Sequence, residues 1–108
     1  MSGLFYNCSS LKELNLNNFN TINVTNMRGM FMYCSSLEKL DLNNIITNNV
    51  TNMESMFSGC SSLKELNLNN FNTNNVKDMS GMFYACSDEL IKKIRNQYNN
   101  IIDEAFEV

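Results

Sequence analysis

Sulfur-containing side chains are the groups of this sequence with the greatest capacity for chemistry. Four cysteines, Cys8, Cys34, Cys60 and Cys86, follow one another at intervals of 26 residues. A thiolate can attack a substrate, bind a metal ion or form a disulfide. The chain contains no histidine, so neither a cysteine nor a serine has an imidazole to accept its proton. Because phosphate-binding glycine loops and nucleophile elbows are also missing from the sequence, we predict that the protein is not an enzyme.

The constant spacing of the cysteines favours a structural role. Zinc sites require cysteines two to four residues apart or supporting histidines, and the sequence has neither. If equivalent cysteines stack with Cα atoms about 5 Å apart, a disulfide is within reach, but parallel Cα–Cβ vectors are poorly aimed for its torsion. We expect buried free thiols that pack as small core residues, with a disulfide or a metal site as the less favoured alternatives.

Methionine pairs recur with the same period and raise the question of copper binding. Thioethers bind Cu(I), and the pairs are Met27 and Met30, Met53 and Met56, and Met79 and Met82. A phenylalanine directly follows the second methionine of each pair, which places the pair in an apolar stripe. Core packing is therefore the favoured interpretation, and we predict neither a metal ion nor another cofactor.

An unbroken 26-residue period organises the chain that holds these side chains. Segments 9–34, 35–60 and 61–86, called here the first, second and third unit, contain no insertion, and the first and third agree at 20 of 26 positions. In each unit two serines are followed by L-x-x-L-x-L, the strand pattern of leucine-rich repeats. We expect short parallel strands at about 11–16, 37–42 and 63–68, stacked about 4.8 Å apart. The predicted core contains the four cysteines and the inward leucines Leu14, Leu16, Leu40, Leu42, Leu66 and Leu68.

The remainder of each unit predicts an Asn-rich loop and a short helix. Asparagine side chains bond readily to nearby backbone groups in turns. Asn26, Asn52 and Asp78 precede the Met-x-x-Met-Phe segments, a spacing typical of an N-cap and one or two helical turns. One unit cannot bury its own apolar face, so neighbouring units must stack. The predicted fold class is an α/β repeat solenoid of the leucine-rich type.

Charged residues support stacking in register. The strand pairs Lys12-Glu13, Glu38-Lys39 and Lys64-Glu65 reverse their order in the second unit. When equivalent positions lie side by side, each column of charges then alternates in sign. Opposite charges on neighbouring strands stabilise by roughly a few tenths of a kcal/mol each, whereas like charges would oppose stacking.

The C-terminal end leaves the period. Residues 87–108 place apolar side chains at helical spacing after Ser87, which predicts an amphipathic helix that caps the array of residues 1–86. Binding to a membrane surface or to a partner helix are the alternatives. Three basic against five acidic residues from position 88 onward disfavour anionic lipid.

The N-terminal end starts inside a unit, because Leu4, Phe5 and Cys8 occupy the positions of Met30, Phe31 and Cys34. The first strand then presents an unpaired edge. We expect either that the chain is the C-terminal part of a longer array or that it associates with itself through this edge.

Composition limits the partners. The formal charge of −3 creates no field that would attract nucleic acid or anionic membranes. No apolar run approaches the roughly 20 residues of a membrane span, and the N-terminus lacks the layout of a signal peptide. We expect protein partners, without nucleic-acid binding or membrane insertion by this chain.

The repeated motifs resemble a known family. Met-Ser-Gly-Met-Phe-Tyr-Ala-Cys at 79–86, Cys-Ser-Ser-Leu-Lys-Glu-Leu-Asn-Leu-Asn-Asn-Phe-Asn-Thr at 60–73 and their copies are similar to the BspA-like leucine-rich repeat surface proteins, in the subtype abundant in mycoplasmas. The resemblance covers residues 1–86. It implies a leucine-rich solenoid at the cell surface or secreted, with adhesion to host or matrix proteins attributed to some members.

The outward residues of the predicted strands form the candidate interaction face. They are Glu13, Asn15, Asn17, Lys39, Asp41, Asn43, Glu65, Asn67 and Asn69. The face lacks the Trp, Tyr or Arg anchors typical of binding hot spots, and its roughly 300 Å² is well below the about 800 Å² of a standard interface. We therefore expect a surface scaffold that makes weak, multivalent protein contacts. The alternative is a purely architectural fragment of a longer array without a ligand.

Overall fold

Hydrogen bonds between units, more than long helices or strands, organise the backbone. The computed structural model describes residues 2–14, 16 and 19–107. In these residues a parallel sheet pairs strands β1 (Lys39–Asp41) and β2 (Glu65–Asn67). Helix α1 (Asp88–Gln97) follows the third unit, and a 3₁₀ helix spans Asp103–Phe106. No helix in the described part of the chain is long and apolar enough to cross a membrane.

Strands β1 and β2 pair residues that are 26 positions apart. The Cα partners are Lys39 with Glu65, Leu40 with Leu66 and Asp41 with Asn67. Both strands are shorter than the predicted 37–42 and 63–68. At their C-terminal ends the Asp41 and Asn67 side chains each accept the N–H two residues on and turn the chain. At their N-terminal ends the N–H groups of Leu37 and Leu63 donate to the Cys34 and Cys60 carbonyls in turns, so pairing begins two residues later than predicted. No strand forms in the described part of 11–16, although the Lys12 carbonyl accepts the N–H of Glu38 at 3.1 Å.

The Met-x-x-Met-Phe segments form tight turns, so the prediction of short helices was wrong. The N–H of Met30 donates to the Met27 carbonyl at 3.2 Å, whereas the N–H groups of Gly29, Phe31 and Tyr33 donate to the second unit. Gly29 (φ 60°) and Tyr33 (φ 62°) have left-handed backbone, which ends an α-helix. Left-handed residues recur at the equivalent positions Gly3, Ser55 and Gly81, and Asn7, Gly59 and Ala85.

A column of stacked phenylalanine rings runs through the core. The ring centroids of Phe5 and Phe31, Phe31 and Phe57, Phe57 and Phe83, and Phe83 and Phe106 lie 5.5, 5.6, 5.3 and 5.5 Å apart. The three inner rings are fully buried, and the methionine pairs lie buried in the same core. Each aromatic pair at this distance stabilises by about 0.5–1.5 kcal/mol beyond the burial of its surface.

The predicted core leucines differ in burial between the first unit and the others. Leu40, Leu42, Leu66 and Leu68 are buried, as is Leu16, while Leu14 is only half-buried. The leucine pairs of the second and third units are therefore fully within the core, whereas Leu14 of the first unit is packed against it only in part.

Threonine side chains make hydrogen bonds between neighbouring units, whereas the Asn and Asp side chains at the predicted cap positions make hydrogen bonds within a unit. The Thr21 hydroxyl donates to the Ile46 carbonyl and accepts the Ile46 N–H, both at 2.9 Å, and Thr47 repeats this one unit later. Asn26, Asn52 and Asp78 accept the N–H two residues on, so the predicted cap residues make a local bond that opens a turn and not a helix.

Helix α1 ends at Gln97, whereas the sequence analysis predicts one helix over residues 87–108. The Ser87 hydroxyl caps its first turn by accepting the Leu90 N–H at 3.2 Å. Tyr98 is extended (φ −126°, ψ 114°), and the chain then crosses the third unit. The Asn100 amide donates to the Phe71 carbonyl at 3.1 Å, which holds the crossing chain.

Residues 98–107, called here the cap segment, provide backbone carbonyls that accept hydrogen bonds from the third unit. Within the array, each unit provides such carbonyls to the unit before it. The N–H groups of Gly81 and Phe83 donate to the carbonyls of Glu104 and Ala105 at 3.0 and 2.7 Å. One unit earlier, the equivalent Ser55 and Phe57 donate to the third unit. The cap segment thus takes the place of a further unit and satisfies backbone donors that would otherwise be open.

Candidate binding groove

A groove runs between the outer side of the strands and helix α1. Its volume is about 670 Å³. The lining residues are Glu13, Leu14, Lys39, Leu40, Asp41, Lys64, Glu65, Leu66, Asn67, Asn69, Leu90, Lys93, Ile94, Gln97 and Tyr98. Leucine and isoleucine side chains form its apolar floor, and charged and amide side chains form its walls.

The strand alternation positions one wall. Lys39 and Asp41 point outward on either side of the buried Leu40. The Lys39 ammonium lies 3.6 Å from the Glu65 carboxylate on β2, which gives this column the alternating charges that the sequence predicts. Both side chains are about two-thirds exposed, so water screens the pair and its contribution is at most about 1 kcal/mol.

Helix α1 supplies the second wall. Leu90 and Ile94 are buried, and Lys93, between them in sequence, is exposed. The Lys93 ammonium lies 3.6 Å from Glu89 and donates to the Lys64 carbonyl at 3.4 Å, which joins the helix to the third unit. A neighbouring hollow of about 260 Å³, lined only by acidic residues and lysines, extends the groove toward Glu38. Charges of both signs therefore alternate along its length.

Tyr98 closes the edge of the groove with its phenol. The hydroxyl accepts the Leu68 N–H at 3.0 Å and donates to the Asn69 side-chain oxygen at 3.1 Å. In the second unit, the equivalent N–H of Leu42 donates to the Asn67 carbonyl. The phenol therefore replaces a backbone acceptor and supplies the groove with a buried aromatic ring, 9% exposed.

Most of the predicted interaction face comes together in this groove. Glu13, Lys39, Asp41, Glu65, Asn67 and Asn69 line it, whereas Asn43 is exposed outside the lining. Asn15 and Asn17 lie outside the described residues. Sequence reasoning missed the α1 wall and Tyr98, because it assigned the whole tail to a helix that covers the end of the array. The Tyr98-Asn99-Asn100 stretch, rich in turn-forming asparagine, interrupts the helical pattern and was the available signal.

The cysteines lie away from the groove, inside the stack. Cys34, Cys60 and Cys86 are buried free thiols, and Cys8 is half-buried. Each buried thiol donates to a phenylalanine carbonyl of the neighbouring turn at 3.1–3.2 Å. Burial raises the pKa of Cys34, Cys60 and Cys86 above the ordinary value, that of Cys86 to about 12. These thiols are neutral near pH 7, and the described residues contain no group of three or more potential metal ligands.

Comparison with known families identifies the repeated units. The model of a family described as Mycoplasma protein of unknown function, DUF285, matches residues 1–104. The chain belongs to this family. The match covers the three units, α1 and most of the cap segment, so the DUF285 assignment includes both walls of the groove. Neither the curated proteins nor the solved structures contain a match to this DUF285 chain.

Proposed function

We propose that this protein is a non-enzymatic repeat scaffold of the leucine-rich solenoid type, displayed at the cell surface and making weak, multivalent contacts with host or matrix proteins. The observation that carries the proposal is the groove between the strands and α1, where six residues of the predicted interaction face line one hollow. The resemblance to BspA-like surface proteins supports the surface location.

The groove fits an extended segment of a partner protein. Its apolar floor provides contact area, while Lys39, Asp41 and Lys64 on its walls can pair with charges of either sign on the segment. Tyr98 provides the aromatic group that the strand face alone lacks, although its hydroxyl is already bonded to the third unit.

The size of the groove explains why single contacts should be weak. The strand face provides roughly 300 Å², and a ten-residue helix about 15 Å long adds roughly 150 Å², which together fall short of the about 800 Å² per partner in a standard interface. Binding strong enough for adhesion then requires many copies or units acting together, which raises the effective concentration of each site.

Binding to purified fibronectin, laminin and collagen tests the proposal. The chain is presented as a monomer and clustered on beads, and we expect retention only in the clustered form. Lys64→Glu changes a groove lysine with no ion pair among the described residues, and Lys77→Glu makes the same charge change at an exposed position outside the groove. Retention should fall at least threefold for the first variant and stay unchanged for the second.

The competing function is architectural, with the units and cap serving as a spacer. Clustered protein that binds none of the matrix proteins would favour this function and contradict the adhesion proposal. Equal losses for Lys64→Glu and Lys77→Glu would show that net charge, and not the groove, governs retention.

A further inference from the structure

Three of the four tyrosines lie on the turn side of the units, outside the lining of the groove. Tyr33 is 44% exposed and Tyr84 is 47% exposed. The ring centroids of Tyr6 and Tyr33 lie 5.7 Å apart, with the two rings at 69° to each other. Tyr6, Tyr33, Tyr84 and the intervening Gly59 are called here the tyrosine face. Because tyrosine is one of the residue types that dominate binding energy at interfaces, this face is a second candidate interaction surface.

Bonded turns hold the tyrosine face in place. The Tyr33 N–H donates to the Ser58 carbonyl and the Gly59 N–H donates to the Tyr84 carbonyl, both at 2.8 Å. The Tyr33 ring lies directly over Gly59, since a Cβ at Gly59 would meet the ring carbon Cδ1 at 2.5 Å. A side chain at position 59 would therefore displace the ring. The rings are in place before a partner arrives, which lowers the entropy cost of binding.

The tyrosine face offers hydrogen-bond donors without charge. Its three phenol hydroxyls have no bonding partner among the described residues, in contrast to the hydroxyl of Tyr98. The segments that carry the face contain no charged residue, and they are 2–11, 29–37, 55–63 and 79–87. A charged partner would find no counter-charge in these segments, so the face suits an uncharged partner that accepts hydrogen bonds.

A proline-rich segment has these properties. Proline has a carbonyl that accepts but no N–H, and segments of this kind in the polyproline II conformation dock on aromatic surfaces. An ordinary extended segment would also bring N–H groups, whereas the carbonyls of Ser58 and Tyr84 already accept bonds within the fold. From Tyr6 to Tyr84 the face covers three steps of the stack, about 14 Å at about 4.8 Å per step. Four or five residues of polyproline II, at about 3.1 Å each, have this length.

We propose that the tyrosine face binds a proline-rich segment of a partner protein in the polyproline II conformation. Proline rings pack against Tyr33 and Tyr84 above Gly59, and the phenol hydroxyls donate to the carbonyls of the segment. The exposed parts of the three tyrosines amount to roughly 300 Å². Because this is well below the about 800 Å² per partner of a standard interface, a single segment binds weakly. The face is separate from the groove, so the proposal does not depend on adhesion through the groove.

Titration of the full chain with an all-proline peptide of about nine residues, roughly three turns of polyproline II, tests the proposal. In NMR spectra the ring signals of Tyr33 and Tyr84 should shift, while those of Tyr98, which lines the groove, should not. A glycine–serine peptide of equal length should shift none of them. Tyr84→Ser should weaken binding of the proline peptide about fivefold or more, because it removes both the ring and its donor.

The matched control is Ile46→Ser, since Ile46 is 42% exposed and lies outside the tyrosine face. This variant should bind the proline peptide as wild type does, and so should the groove variant Lys64→Glu. Tyr84→Phe keeps the ring but loses the donor, so its affinity should lie between those of wild type and Tyr84→Ser. An unchanged midpoint of urea unfolding shows that each variant is folded; if Tyr84→Ser unfolds, Tyr84→Phe is compared with Ile46→Ser.

Three outcomes would overturn the proposal. The first is a proline peptide that leaves the Tyr33 and Tyr84 signals in place, including the case in which the neutral sugar xylotetraose shifts them and thereby assigns the face to glycans. The second is an equal shift with the glycine–serine peptide, which would show that the rings do not select proline. The third is equal affinity of wild type and folded Tyr84→Ser for the proline peptide.

Discussion

Replacement of Tyr98 by phenylalanine removes one oxygen atom from the edge of the third unit. The Tyr98 hydroxyl is the acceptor for the buried Leu68 N–H and a donor to Asn69. Asn69 is exposed and can bond to water, but the Leu68 N–H then loses its partner inside the fold. An unsatisfied buried donor costs about 1–3 kcal/mol, a large part of the about 5–15 kcal/mol that stabilises a typical domain.

Urea unfolding followed by circular dichroism measures this cost. With a slope of about 1–3 kcal/mol per molar urea, Tyr98→Phe should lower the midpoint by about 1 M. Tyr84→Phe is the matched control, since Tyr84 is 47% exposed and its hydroxyl has no bonding partner among the described residues. The control should change the free energy of unfolding by less than about 0.5 kcal/mol.

Hydrogen exchange at the Leu68 amide assigns the effect to this bond. In Tyr98→Phe the Leu68 N–H should exchange faster than in wild type, by more than the change in global stability requires. Equal urea midpoints for the two variants, together with an unchanged Leu68 amide, would refute the conclusion that the phenol replaces a backbone acceptor.

Three further predictions concern the left-handed turn position and the thiols. Ser55→Gly should stabilise the fold by about 0.5 kcal/mol in urea unfolding. Glycine removes the steric strain of about 1–2 kcal/mol that a side chain causes at φ 55°, and this gain exceeds the about 0.4–1 kcal/mol that its greater freedom in the unfolded state costs. Burial raises the pKa of Cys86 from 9.0 to about 12, so the thiol ionises at lower pH in the unfolded state than in the folded state. The contribution of Cys86 to the free energy of unfolding should therefore be complete below pH 9.0 and fall by about 1.4 kcal/mol per pH unit between 9.0 and about 12. Brief treatment of the native protein with a maleimide should modify Cys8 and leave the three buried thiols intact by mass spectrometry.

Each of these predictions has a control. Ser58→Gly, at a buried position without left-handed backbone, should destabilise; stabilisation by both glycines would contradict the strain argument. Cys86→Ala should have a shallower loss of stability between pH 9.0 and 12 than wild type, and identical profiles would exclude Cys86 as a cause. Modification of all four cysteines at equal rates in the native state would contradict the buried thiol column, whereas equal rates are expected in denaturant.

The 26-residue period determined which side chains become neighbours. Lys39 beside Glu65, the row of buried thiols and the burial of Leu40 and Leu66 follow from equivalent positions lying side by side. The prediction of a helix at the Met-x-x-Met-Phe segments was wrong. Apolar residues at i, i+3 and i+4 also fit a series of turns in which every second N–H group donates to the next unit. The glycines at positions 3, 29 and 81 were the sequence signal for those turns, because left-handed backbone suits glycine.

The groove between the strands and α1 could be recognised only from the tertiary structure. Strand alternation alone identified its exposed wall, including Lys39, Asp41 and Glu65, since the direction of these side chains is a local property of the backbone. Its other wall depends on where α1 ends, and that is decided by competition between continued helix and the bonds from Tyr98 and Asn100 to the third unit. The sequence alone thus determined the contacts that repeat, because the 26-residue period states which positions of neighbouring units meet. The tail does not repeat, so its position depends on the tertiary contacts that it makes with the third unit.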